Sequence, residues 1–173
     1  MPYLGSTLFF VTLGVALTLA LTAWWMLTRA LAPGFVSRAK DGWRERPVRT
    51  VLLGAVVGGF GTLMTILLLS LGHPAASFVA TVLLVGQLAF ALAGTAGLAE
   101  RIGEGLASPS DAGREWIRCL KGGVVLELCF LLPLLGWFVV LPVAVYGGMG
   151  AALSALASGV YARLRPAARA PAA

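Results

Sequence analysis

The chain has 173 residues, 59% of them hydrophobic and only 12% charged, with a mean hydropathy of +0.92 and a formal net charge of +6. A water-soluble domain carries roughly 25% charged residues, so lipid is the solvent implied for most of this surface. The segments are apolar all round instead of alternating, which excludes a membrane β-barrel and leaves helices.

Residues 4–28 form the first apolar run, which closes on Trp24, Trp25 and Arg29. No basic residue precedes it and no small-residue cleavage pattern follows it, so it reads as a signal-anchor and not a cleaved signal peptide. The two tryptophans suit the membrane interface. Residues 29–49 follow, with Arg29, Arg38, Lys40, Arg44, Arg46 and Arg49 against Asp41 and Glu45. Phe35, Val36, Ala39 and Trp43 recur between these charges at helical spacing, which predicts a short amphipathic helix in the headgroup plane, closed by Pro47. It reads either as an anionic-lipid or partner surface, or as an ordinary positive-inside loop.

The second span covers residues 50–71. Gly54, Gly58 and Thr62 lie four apart, a spacing that lets helix backbones approach closely in lipid. Gly72, His73 and Pro74 make a tight turn to the third span, residues 75–99. His73 is an interface candidate for a proton, pigment or metal site, although no second ligand accompanies it. Gln87 falls near mid-span, where such a side chain serves as interhelical glue or as a transport ligand. Residues 100–121 form a second polar connection holding Arg101, Arg114, Arg118 and Lys121. Ser110 or Asp111 is expected to cap the helix that follows, and Glu115 to pair with Arg118.

Gly122 to Ala162 contains one charged residue, Glu127. This stretch is too long for one crossing, which takes about 20 residues. Pro133 and Gly136 sit where two crossings would need a turn, predicting a tight hairpin with arms at about 117–133 and 137–162. The second arm carries Gly147, Ala151, Ala155 and Gly159 at four-residue steps, a helix-packing stripe. Pro142 is placed to kink it.

All 13 Lys and Arg residues fall in 29–49, 101–121 and 163–169. Lys and Arg in short loops mark the cytoplasmic side. Five crossings with the N-terminus outside put all three basic segments in the cytoplasm; four would put the last one outside. The expected architecture is thus all-α: a polytopic bundle of five transmembrane helices within 1–165, a flexible tail over 166–173, and a place in the cell inner membrane. The basic residues flank apolar spans instead of forming a separate patch, so nucleic acid is not an expected partner.

Glu127 is the one ionisable residue within a span, and such residues are costly there and face protein or water. One reading makes it a proton or cation site, with Gln87 or with copies of itself across an oligomer. The other makes it a neutral acid bonded to a neighbouring helix, or one that snorkels to the interface. Cys119 and Cys129 lie about 15 Å apart along one helix, too far for a disulfide. No catalytic set, metal cluster or phosphate loop is found, so neither an enzyme, a metal nor a cofactor is expected.

Arg44-Glu45-Arg46-Pro47, the Gly72-His73-Pro74 turn, Leu132-Pro133-Leu134-Leu135-Gly136-Trp137 and Gly148-Met149-Gly150-Ala151 together resemble the C-terminal membrane region of bactofilin-like polymer-forming proteins of bacteria and archaea. The resemblance covers about residues 29–165. In that family the region follows a β-helical domain. Only three residues precede the first span here, so filament formation by this chain is not expected. What the resemblance implies is a membrane anchor or scaffold, with no catalytic residues to carry over. The functional expectation is a scaffold or accessory subunit acting by helix–helix association, with a membrane-protein partner or a homo-oligomer. The alternatives are a small ion channel or proton-coupled transporter using Glu127, and a pigment- or quinone-associated subunit using His73 and the tryptophans.

Overall fold

Proline sets the helix boundaries. The computed structural model describes residues 2–108 and 114–164, and every regular element among them is helical. They are α1 (Pro2–Leu31), α2 (Pro33–Glu45), α3 (Pro47–Ser70), α4 (Pro74–Gly105), α5 (Glu115–Phe130), a π-helical turn (Gly136–Val140) and α6 (Leu141–Leu164). α2, α3 and α4 each open on a proline, whose fixed φ suits a first helical position and whose missing N–H costs nothing there. The residue before each proline is driven out of helical geometry. Ala32, Arg46 and His73 accordingly have φ/ψ of −138/62°, −144/63° and −97/133°. Gly72 completes the α3–α4 turn at φ +64°, a conformation that L side chains rarely adopt.

Pro142 has a different effect. It has no N–H to give, and its ring would press on a carbonyl one turn earlier. The helix widens just before it, where the Leu141 N–H reaches back to the Gly136 carbonyl, a π-type bond. Residues 131–135, which join α5 to this turn, bend the chain between two helix-type bonds, from the Leu131 N–H to the Glu127 carbonyl and from the Gly136 N–H to the Leu132 carbonyl.

Among the described residues, four helices are long and apolar enough to cross a membrane: Thr7–Leu31, Pro47–Ser70, Pro74–Gly105 and Gly136–Ala162. α5 is not among them. Its 16 residues extend about 24 Å, against a hydrocarbon core of about 30 Å. Glu115, Arg118, Lys121 and Glu127 also interrupt its apolar character.

Glycines let the helices touch. A Cβ on Gly54 would fall on the Tyr146 carbonyl oxygen and 2.6 Å from the Gly150 nitrogen, so α3 and α6 meet backbone to backbone. α4 meets α6 in the same way at Gly94 and Gly148, and meets α5 at Gly103 and Gly122. Apart from the exposed Thr62, the small-residue stripes are therefore consumed inside the bundle. Gly58 lies under the Tyr146 ring, Gly147 under the Trp43 ring, and a Cβ on Gly159 would lie 3.1 Å from the Arg38 guanidinium. Ala151 and Ala155 are fully buried against Ala39 and Trp43.

α2 departs from expectation. It forms over the predicted residues, but its apolar face is turned into protein. Val36, Ala39 and Trp43 are buried. A Cβ on Gly97 of α4 would touch the backbone of Ala39 and Lys40. Arg38 Nε donates to the Ala155 carbonyl of α6 at 3.0 Å. The apolar face of α2 is thus covered by protein, because two glycine-bearing helices offer it a closer fit than lipid can.

Candidate functional site

The polar groups of the bundle gather between α1, α2, α4 and α5. Thr22, Trp25 and Arg29 are spaced three and four apart, so they share one face of α1. Each meets a polar partner. Thr22 Oγ1 donates to Glu127 Oε1 of α5 at 2.9 Å. Trp25 Nε1 donates to Thr95 Oγ1 of α4 at 2.8 Å. Arg29 donates to Glu100 of α4. Lys40 of α2 completes the set, reaching Glu100 at 3.0 Å and Glu104 at 2.7 Å. Trp25, Val36, Ala96, Ala99, Cys119 and Leu126 form the buried apolar cluster at this junction.

The ion pairs form a graded series. The Glu100 side chain is 4% exposed, Arg29 13%, Lys40 18% and Glu104 35%. A carboxylate as deep as Glu100 is tolerated only when paired and hydrogen-bonded, and here two cations from two other helices meet it. Burial pulls the Lys40 amine down, but its hydrogen bonds to Glu104 and Glu100 and their charges outweigh this and leave it above its ordinary value. The network clasps α1, α2 and α4 together.

Glu127 is 96% buried, the complement of its 4% exposure. Its second oxygen, Oε2, is buried with no hydrogen-bond partner. A carboxyl in this setting has one oxygen fixed by Thr22 and one left to take a proton.

Gln87 is not part of this site. Its Nε2 donates to the Gly58 carbonyl of α3 at 2.7 Å, and Gly61 makes room for the amide, since a Cβ there would lie 2.9 Å from Gln87 Cδ. Glu127 and Gln87 are therefore bonded to different helices, α1 and α3. His73 stands exposed at the start of α4, where its Nδ1 accepts from the Ala75 N–H at 3.3 Å and caps the helix. Cys119 and Cys129 are free. Ser110 and Asp111, expected as a cap, lie outside the described residues, as does the Glu115 side chain. Among the described residues no three His, Cys, Asp or Glu side chains come together as a metal site.

Sequence reasoning placed Glu127 but missed its partner Thr22, the Trp25–Thr95 bond and the Arg29–Glu100–Lys40–Glu104 network. The available signal was the shared α1 face of Thr22, Trp25 and Arg29, together with Glu100 and Glu104 one turn apart. No protein-family model matches the chain, and neither does any curated protein or solved structure.

Proposed function

We propose that this chain crosses the cytoplasmic membrane five times, N-terminus outside and C-terminus inside, and serves as a scaffold or accessory subunit that associates with another membrane helix. α5 is the short crossing in this reading. Gly122 lies against Ala99, and Gly103 against Arg118, so α5 runs back along α4 from the end that bears the basic residues. The turn beyond it, with Leu131, Leu134 and Leu135 at 66%, 75% and 62% exposure, carries no charge and suits lipid better than water. In this reading α5 and α6 make the last two crossings, joined by that uncharged turn.

One observation carries the association reading: six apolar side chains in the outer half of α1 are largely uncovered. Leu8, Val11, Leu13, Val15, Leu17 and Leu19 are each more than half exposed, and among the described side chains the first of α1 to join the apolar core is Leu21. α5, the neighbour that covers the inner half, ends at Phe130. The small-residue stripes lend no support, being spent within the bundle. The anchor or scaffold role implied by the bactofilin-like resemblance points the same way. The test is extraction from native membranes in mild detergent, followed by native mass spectrometry. A complex heavier than the 17.9 kDa chain that contains a second membrane protein supports the proposal, and a monomer alone refutes it.

A second reading rests on Glu127, whose Oε2 is buried and unpaired. It makes the chain a proton-coupled transporter or small channel. Proton flux in liposomes that Glu127→Gln abolishes would favour it, and flux unchanged by that substitution would remove it.

A further inference from the structure

The six basic residues of the 29–49 segment divide into two groups that the sequence does not distinguish. Arg29, Arg38 and Lys40 are engaged by other helices, on Glu100, on the Ala155 carbonyl, and on Glu100 with Glu104. Arg44, Arg46 and Arg49 are exposed, and no ion pair or side-chain hydrogen bond engages them among the described residues. These three stand at the corner where α2 gives way to α3. Beside them is a groove of about 290 Å³ lined by Trp43, Pro47, Val48, Val51, Leu52 and Val143. Arg46 directly precedes its Pro47 wall and Arg49 directly follows its Val48 wall. α3 starts at this corner without a side-chain cap, which leaves the Val48 and Arg49 N–H groups of its first turn without an intrahelical partner. The carboxylates of the corner, Asp41 and Glu45, are exposed. Each is two residues from Trp43, about 200° around α2, and so on the side away from the groove.

We propose that this corner is a binding site for an anionic phospholipid. Arg44, Arg46, Arg49 and the start of α3 take the phosphate, and the groove from Trp43 to Leu52 and Val143 takes the first part of an acyl chain. The charge matches, because three exposed arginines adjoin Trp43, Pro47 and Val48 of the groove in sequence, while Asp41 and Glu45 fall on the far side of α2 from Trp43. The amphiphilic shape matches too, because the charge sits at one end of an apolar groove and basic pockets between membrane helices hold such headgroups. This inference rests on reading the chain as a membrane bundle, but not on its association with a partner, so failure here leaves the native-complex experiment untouched.

The test uses the full chain in nanodiscs of phosphatidylcholine with and without phosphatidylglycerol. Native mass spectrometry reads the lipid retained after release. The Arg44→Gln/Arg46→Gln/Arg49→Gln variant is expected to lose phosphatidylglycerol retention by at least about tenfold. A control removing the same number of charges elsewhere, Arg114→Gln/Arg165→Gln/Arg169→Gln, is expected to keep it. Equal loss in both variants, or loss in neither, overturns the proposal. The acyl half has its own readout: brominated phosphatidylglycerol should quench tryptophan fluorescence more than brominated phosphatidylcholine, and Trp43→Phe should abolish that difference. A difference that survives in Trp43→Phe overturns the groove assignment. Displacement of the lipid by inorganic phosphate would show an anion site without an acyl requirement, and a protein bound at the corner in place of lipid would assign it to a partner. Either result overturns the proposal.

Discussion

Replacing Glu100 by Gln should destabilise the bundle far more than an ordinary surface substitution would. Glu100 is the hub of the clasp: its side chain is 4% exposed and accepts from Arg29 and Lys40. The amide keeps the shape but removes the charge, leaving two mostly buried cations facing a neutral group. Removing one partner of a buried pair costs ~3–5 kcal/mol. Lys40 keeps its 2.7 Å contact with Glu104, which is 35% exposed, so the cost falls at or just below the bottom of that range, about 2–3 kcal/mol. The measurement is unfolding in a fixed mixed-detergent system titrated with dodecyl sulfate. Arg29→Met combined with Glu100→Met should recover part of the loss, because replacing both members of a buried pair by apolar groups is often near neutral, giving a coupling of about 1 kcal/mol or more. Hydrogen exchange should localise the effect: α2 amides lose protection in Glu100→Gln, while those in the middle of α3 do not. A change below about 0.5 kcal/mol, the scale of exposed ion pairs, would refute the claim that this network holds α2 in the bundle.

Gly54→Ala places a methyl group on the Tyr146 carbonyl, so α3 and α6 must separate; a loss of about 1–3 kcal/mol is expected, while Gly59→Ala, with nothing within 4 Å, should leave stability unchanged in the same assay. Thr95→Val leaves the buried Trp25 N–H without its acceptor and should cost about 1–3 kcal/mol, with a shift in tryptophan emission. Lys40 sits above its ordinary value of 10.5, so its contribution is fully present below that pH and is lost as pH rises through the higher folded-state value. Unfolding free energy should therefore fall in the alkaline range in the wild type, and Lys40→Met should flatten that fall.

The parts of this fold legible in the sequence are those that depend on local pattern. Apolar run length located the four helices long and apolar enough to cross a membrane, and the prolines at 33, 47 and 74 mark helix starts that need no tertiary information. Gly54, Gly58 and Gly147 could be read as packing positions because only small residues permit such close approach in lipid. Which helix each would meet could not be read, since that depends on tertiary arrangement. α4 was cut short at residue 99 because Glu100, Arg101 and Glu104 looked like the end of a span. In the structure the helix continues to Gly105, because those charges are met by Arg29, Lys40 and the Trp43 carbonyl. The clasp pairs residues 60 to 71 positions apart, and no periodicity along the chain encodes that. For the same reason α2 looked like a surface helix: its amphipathic pattern is the same whether lipid or protein covers the apolar face.

The association claim is tested most directly by photo-crosslinking from the outer half of α1. Benzoylphenylalanine placed at Leu13 or Val15, and for comparison at the lipid-exposed Val56 of α3 (71% exposed), is activated in native membranes. The account predicts a discrete protein adduct from the two α1 positions and none from Val56. Lipid adducts alone from all three positions would contradict it.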